Sequence, residues 1–295
     1  MSVLIVGAGL AGLVAARALR DAGRAVRLID KGRRPGGRAA EREVPDAGAF
    51  EHGLPWVGPE ADDPLFDGFL PWPGNGRVAP GGVGAWTDGL ARDLDVSQGV
   101  QVARIEGGPG GWRAVADGEA FEAADVILAV PPPQAAALLP AAADALSGVE
   151  MLPCWTLMAA FDAPTGIDGS AAAPGDRAIP EHAKPGRAPA PERWTFQLGA
   201  DATRAMLETD RTAAVAPLLD RLAALADRPL PAPVHARAHR WRYAACARPL
   251  GRDVLEAGGA LLGGDWAPGA SGGLAGGAAA AVRSGRAVAA ALLAR

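Results

Sequence analysis

Cysteine is nearly missing from this chain, with only Cys154 and Cys246 among 295 residues. Two are too few for a disulfide framework, and their spacing is not that of a zinc site, so both read as reduced structural thiols. Long apolar runs are missing as well. No stretch approaches the roughly 18 residues of a membrane span, and no basic segment precedes the first apolar run as a signal peptide requires. A basic excess is also absent: 29 lysines and arginines stand against 33 acids, a net charge of −4. Nothing therefore marks an electrostatic footprint for nucleic acid. The four histidines, His52, His182, His235 and His239, lack metal-ligand spacing such as HExxH, and no metal is expected. These absences lead to the expectation of a soluble, cytoplasmic protein without a nucleic-acid or membrane partner. Glycine is abundant, 40 residues beside 26 prolines, and 49% of the chain is hydrophobic. That is enough apolar material for a sizeable core, in a length that allows about two domains.

Val3 to Val6 is a short, branched apolar run of the kind that makes a buried parallel strand, and it passes directly into Gly7-Ala8-Gly9-Leu10-Ala11-Gly12. A helix is expected next: Leu10, Leu13, Val14 and Ala18 fall apart from Arg17, Arg20, Asp21 and Arg24, and Gly23 supplies a stop. Val26 to Ile29 then reads as a second strand, ending at Asp30, eighteen residues beyond Gly12. A dinucleotide site needs this order. Glycines let the backbone approach a pyrophosphate, the helix N-terminus faces its negative charge, and the acid accepts from a ribose hydroxyl. Lys31, Arg33 and Arg34 follow, placed to meet a 2′-phosphate or simply solvated. At this point NAD, NADP and FAD all remain open.

Directly after the second strand comes Arg34-Pro35-Gly36-Gly37-Arg38, another glycine turn flanked by arginine. A guanidinium pairs with phosphate oxygens in a forked geometry while adjacent glycines admit the backbone. This RPGGR stretch resembles the glycine-doublet motif of the flavin amine oxidase group, and the resemblance implies FAD, with Arg38 supporting its pyrophosphate. At the far end Ala260 to Gly263 reads as a strand running into Gly264-Asp265-Trp266, and Gly269 to Gly277 leads into an alanine-rich helix through Leu293. This GDW segment, His239-Arg240-Trp241-Arg242-Tyr243-Ala244, and Asp46-Ala47-Gly48-Ala49 resemble segments of the renalase-like proteins in the same order. The resemblance implies that Gly264 and Asp265 approach the ribityl chain. It also implies that the helix start at Gly273, Leu274 and Ala275 faces the flavin, and that Val102 holds the adenine through its backbone. Together with Gly7, Gly9, Leu10, Ala11, Gly12, Asp30, Lys31, Gly36, Gly37 and Arg38, these form the expected FAD contacts. Neither cysteine lies in an attachment motif, so the FAD is expected to be non-covalent. The chain departs from its relatives at Leu54-Pro55-Trp56-Val57, where a polar residue followed by tyrosine is common, and at Gln197, where a histidine is expected. The interval from Gly58 to Gly84 is short, so the substrate region looks trimmed.

Between the ends, Val100 to Ile105, Trp112 to Ala116 and Ala120 to Glu122 alternate as a β-meander, and Val126 to Val130 reads as a buried strand stopped by Pro131, Pro132 and Pro133. Leu138, Leu139, Ala142 and Leu146 recur at helical spacing. A strand from Cys154 to Phe161 begins the expected substrate domain. A mobile loop is expected from Pro164 to Pro191, then a strand from Trp194 to Leu198, a helix beginning near Pro217 and carrying Leu218, Leu219, Leu222 and Leu225, and a returning strand from Arg237 to Tyr243. The expected fold is α/β: a Rossmann-like parallel sheet with a β-meander that binds FAD, plus a smaller α+β substrate domain inserted in the chain. The expected FAD-binding parts are 1–57, 91–147 and 244–295, with the substrate domain at 58–90 and 148–243.

Gly269-Ala270-Ser271-Gly272-Gly273 matches a serine-hydrolase elbow, but no histidine follows Ser271 to act as its base. With FAD present the cofactor is the reactive group, and the protein needs only to orient a substrate C–H bond. Flat walls suit that task. Trp241, Tyr243 and Trp266 lie in the segments that resemble flavin-facing ones and are the candidate catalytic walls; packing in the core is the alternative for each. The resemblance implies an FAD-dependent oxidase that takes hydride from a dihydro-NAD(P) isomer, with dioxygen as acceptor and hydrogen peroxide as product. An amine oxidase or desaturase acting on a specialised metabolite, and a non-catalytic FAD-binding scaffold, stand as alternatives.

Overall fold

The computed structural model describes residues 2–74, 76–116, 118–268 and 273–295. The apolar run at the front forms β1 (Ser2–Val6), which leads through the glycine turn into α1 (Leu10–Asp21) and then β2 (Ala25–Asp30). The helix stops where expected: Gly23 takes φ +81°, and the Gly23 and Arg24 N–H groups donate back to Arg20 and Leu19. A hairpin follows, β3 (Glu41–Val44) and β4 (Gly48–Glu51), then a second one, β5 (Leu70–Trp72) and β6 (Gly76–Val78), and helix α2 (Val83–Ala91). Segment 58–90, expected with the substrate domain, packs Phe66, Phe69, Val83, Trp86 and Leu90 into the same core as α1.

β7 (Asp95–Gln98) precedes the meander of β8 (Val102–Gly108), β9 (Gly111–Ala116) and β10 (Glu119–Ala123), and β11 (Asp125–Leu128) returns to the main sheet. The prolines after β11 do more than end a strand. Pro131 caps α3 (Pro132–Leu138) and the next two prolines occupy its first turn, where a missing N–H costs nothing. A 3-10 turn and α4 (Ala143–Leu146) complete the connection.

A long strand, β12 (Glu150–Phe161), opens the second sheet, which continues with β13 (Arg177–Pro180), β14 (Glu192–Gln197), the helices α5 (Ala200–Ala205) and α6 (Val215–Ala223), and β15 (His235–Arg248). The loop expected to be mobile instead holds β13, paired with β14, and two 3-10 turns at Gly169–Ala171 and Glu181–Ala183. The chain closes with β16 (Leu255–Ala257), β17 (Ala260–Leu262) and α7 (Gly273–Leu293).

The main sheet has the order β16-β17-β11-β1-β2-β7. All neighbouring pairs are parallel except the β16–β17 hairpin. Strand order reverses at β1: the chain steps to β2 on one side and later to β11 on the other. Ligands of open α/β sheets bind beyond the carboxyl ends of the strands at such a point. Helices α1 and α7 pack together on one face, and a Cβ added at Gly285 would lie 2.5 Å from the Ala11 carbonyl oxygen. The meander, α3 and α4 enclose the other core, with Leu4, Val126, Leu262 and Trp266.

The second sheet, β13-β14-β12-β15, is antiparallel and two-sided. One face carries Trp155, Leu157, Phe161 and Phe196 against Leu218 and Leu222 of α6. By alternation the other carries Thr156, Gln197, His239 and Trp241, and beside them Met158 and Ala160 pack on Phe50 of β4. No helix among the described residues is long and apolar enough to cross a membrane.

Candidate functional site

The two glycine turns at the front meet. The Gly36 N–H donates to the Ala8 carbonyl at 2.8 Å, Gly9 bridges Gly36, and a Cβ on Gly37 would stand 3.0 Å from Gly9 Cα. A Cβ on Gly12 would sit 2.0 Å from the Gly7 carbonyl oxygen, so only glycine lets α1 begin this close to β1. Asp30 stitches the turns from below. One carboxylate oxygen accepts the Ala8 N–H at 2.6 Å and the other the Gly32 N–H at 2.6 Å. Each oxygen keeps a further lone pair, so the acid anchors both loops and still accepts a hydroxyl. Lys31 is exposed.

These residues fit the pyrophosphate end of FAD. Gly9 is the N-cap of α1, no side chain caps the helix, and its first turn holds no acid; the space over Gly9 is open to an added Cβ. The leading N–H groups are left for an anion.

Arg38 joins this front to the far end of the chain. Its guanidinium forms a forked pair with Asp265, at 2.5 and 2.7 Å, and donates to the Ala244 carbonyl at 2.9 Å. Burial is the largest single influence on Arg38 and lowers its pKa, but the charge of Asp265 and the hydrogen bonds to it, with a smaller contribution from Cys246, together leave the pKa raised. Ala244 reaches Arg38 because of a bulge. Pro153 lacks an N–H, and three residues of β15, Arg242 to Ala244, stand opposite it between the Cys154–Trp241 and Leu152–Ala245 pairs. The Gly264 N–H donates to Ser284 Oγ at 3.0 Å, and a Cβ on Gly277 would lie 3.3 Å from Asp265, so the first turns of α7 lie beside this carboxylate. The backbone of Gly273, Leu274 and Ala275 opens that helix; the elbow motif's Gly269 to Gly272 lies outside the described residues. Val102 begins β8, buried beside Ala116.

The aromatic residues separate. Trp241 is half-buried and forms a cluster with two imidazoles: its ring centroid lies 4.3 Å from His239 and 5.4 Å from His52, stacked on the latter. Its indole N–H donates to the His52 carbonyl at 2.9 Å. Tyr243 is half-buried within the bulge. Trp266 is buried in the core with Leu4 and Leu262, its indole N–H held by the Val130 carbonyl at 3.1 Å.

Sequence reasoning gave His52 and His239 no site role and marked Gln197 only as a departure from relatives; the three share the face around Trp241. Burial, then the Arg42 and Arg237 charges, hold the His52 pKa at about 4. Burial, then His52 and three arginines, hold that of His239 at about 3. Gln197 donates to the Gly53 carbonyl at 2.7 Å, which fixes its orientation and leaves its own buried oxygen without a partner; His52 Nδ1 is likewise buried and unpartnered. Burial raises both thiols, Cys154 to about 11 and Cys246 to about 11, so neither is a nucleophile at neutral pH.

Below the wall lies a buried ion cluster. Lys184 Nζ meets Glu51 at 2.5 Å and Glu181 at 3.0 Å. Arg187 pairs with Glu41 and, at 3.1 Å, with Glu51, and the Val83 N–H at the start of α2 donates to Glu51 at 2.9 Å. No group of His, Cys, Asp and Glu suited to a metal occurs among the described residues. Two cavities of about 630 and 610 Å³ open elsewhere, along β10 and beside β13. Neither is lined by the glycine turns, Arg38 or Asp265, so donor chemistry rather than volume locates the site.

Comparison with known proteins agrees with this geometry. Residues 5–69 match an NAD(P)-binding Rossmann-like domain, and residues 71–293 match the family described as flavin containing amine oxidoreductase. Among solved structures, a redesigned putrescine oxidase is similar over 100% of this chain and 99% of its own, at TM-score 0.73 and 17% identity. Cyclohexylamine oxidase from Brevibacterium oxydans IH-35A is similar over 100% and 99%, at 0.71 and 15%. A protein from Exiguobacterium sp. 255-15 described as a protoporphyrinogen oxidase gives 100% and 99%, at 0.70 and 14%.

Proposed function

This chain belongs to the flavin containing amine oxidoreductase family and is an FAD-dependent oxidoreductase acting on small molecules, and from that premise we propose that its substrate is a reduced nicotinamide-type heterocycle, a dihydro isomer of NAD(P), as in renalase-like enzymes. One observation carries the reading. Among the described residues the ring partners of Trp241 are two imidazoles with pKa values of about 4 and about 3, and the Cys154 thiol packed beside it stays protonated, its pKa pushed up to about 11. Imidazoles this weakly basic take no proton from an ammonium group at neutral pH. A dihydropyridine needs none: its ring nitrogen donates a lone pair and the ring regains aromaticity as hydride leaves.

The residues assigned to FAD are the backbone of Gly7 and Gly9 to Gly12, Asp30, Lys31, Gly36 to Arg38, Val102, Gly264, Asp265 and the start of α7. Non-covalently bound FAD supplies two-electron oxidation of a substrate C–H bond, with dioxygen as final acceptor and hydrogen peroxide as product. Trp241 gives a flat surface, His52 and His239 buttress it, and Tyr243 extends the wall. The N–H groups at the start of α7 favour negative charge by about 1 kcal/mol. In this reading the main sheet with α1, α7 and the meander is the FAD-binding unit, and the second sheet is the substrate unit.

Family membership favours a second reading, an amine oxidase. The two separate in one experiment: FAD-loaded enzyme is mixed anaerobically with dihydro-NAD isomers or with putrescine, and loss of flavin absorbance is followed. Rapid bleaching by the dinucleotide and none by putrescine is expected. Bleaching by the amine alone would overturn the proposal.

A further inference from the structure

Three arginines stand uncompensated at the imidazole end of the wall. Arg42 of β3 is the cross-strand partner of Phe50, and the Phe50 ring meets that of His235 at 5.7 Å. Arg237 lies between His235 and His239 on the same side of β15. Arg211, in the turn between α5 and α6, acts with Arg42 and Arg237 to depress His239, after the larger effects of burial and His52. Among the described residues none of the three makes an ion pair or a side-chain hydrogen bond, and Arg42 Nε is buried without a partner. Arg240 and Arg242 of the same strand, by contrast, share Glu208. Arg42 is half-buried while Arg211 and Arg237 are exposed, so this unpaired guanidinium charge, in a chain of net charge −4, is open to an anion from solvent.

We propose that Arg42, Arg211 and Arg237 form an anion subsite that takes the phosphates of the substrate and so selects dinucleotide-borne heterocycles over cationic amines. The assignment rests on the reading of the reaction given above and adds its specificity device. Guanidinium forks suit phosphate oxygens, and adjacent phosphates spread two charges over three such groups better than one carboxylate does. A diammonium substrate meets repulsion at the same place.

The test uses FAD-saturated enzyme, whose flavin spectrum verifies that each variant is folded. Calorimetry measures binding of inorganic pyrophosphate and of glutarate to wild type, Arg42→Gln and Arg237→Gln, and steady-state kinetics compare a dihydro-NAD isomer with an uncharged N-alkyl dihydronicotinamide. Pyrophosphate should bind more tightly than glutarate and weaken about tenfold in each variant, as expected for one lost charged hydrogen-bond partner. The kcat/KM ratio of dinucleotide to uncharged ring should fall by a similar factor. Pyrophosphate binding equally to all three proteins, or not at all, overturns the subsite, and glutarate binding as tightly overturns its assignment to phosphate. If dihydro-NAD is not oxidised while pyrophosphate binding still follows Arg42 and Arg237, the reaction assigned above fails and the subsite stands.

Discussion

Arg38 and Asp265 are 227 positions apart and share a forked ion pair, so one contact holds the front turn, the β15 bulge and the approach to α7 together. Around it, residue environments set protonation. His52 and His239 have folded pKa values of about 4 and about 3 against an ordinary 6.5. Below pH 6.5 the unfolded chain therefore binds protons that the folded chain refuses, and stability falls as pH drops through that window towards about 4, by up to about 1.4 kcal/mol per pH unit for each histidine. Above pH 6.5 neither contributes. Urea midpoints measured from pH 7 to 4 should show this acid limb, and His239→Asn should flatten it relative to wild type; identical slopes would refute the assignment. RPGGR and GDW were legible as pieces of one site because each carries its chemistry locally. Glu51 and Lys184 were not. Nothing near Lys184 announces that a glutamate 133 residues earlier will accept its proton donors, and a histidine on an apolar strand reads as ordinary packing.

Elements divide in the same way. β1, α1 and β2 were readable because a buried parallel strand, a glycine turn and an amphipathic helix each leave a periodic trace. β7 leaves none: its Asp-Val-Ser-Gln sequence forms the sheet edge, with both ends exposed. β5, β6 and β13 span three or four residues, too few for a period, and proline in two of them argued against strand; at a sheet edge a missing N–H is tolerated. Reading 164–191 as one loop missed β13 for that reason. The alanine-rich tail was read correctly as a closely packing helix, and the contact of α7 with α1 makes this testable. Gly285→Val forces a side chain onto the Ala11 carbonyl, 2.5 Å from the position of its first carbon. It should cost about 1–3 kcal/mol and reduce FAD retention, measured by denaturant unfolding and by the flavin-to-protein absorbance ratio. An unchanged midpoint would show that the helices slide apart freely.

For the whole molecule, the buried ions under the wall fasten the segment before β14 to β4 and α2. Lys184 is the hub, and removing it leaves Glu51 and Glu181 facing each other without their shared cation. Lys184→Met should therefore destabilise the protein by roughly 3–5 kcal/mol and expose residues 164–191 to limited proteolysis before the Rossmann-like sheet is cut. Cleavage at the same rate as in wild type would contradict a fastening role. The strand that borders the site also sets a length. Trp241 and Arg237 are four positions apart on β15, about 13 Å at the rise of an extended strand. β15 thus works as a fixed ruler: a molecule lying flat on the indole must carry its charged end most of that span away, and compounds too short to bridge the two marks gain from one grip only.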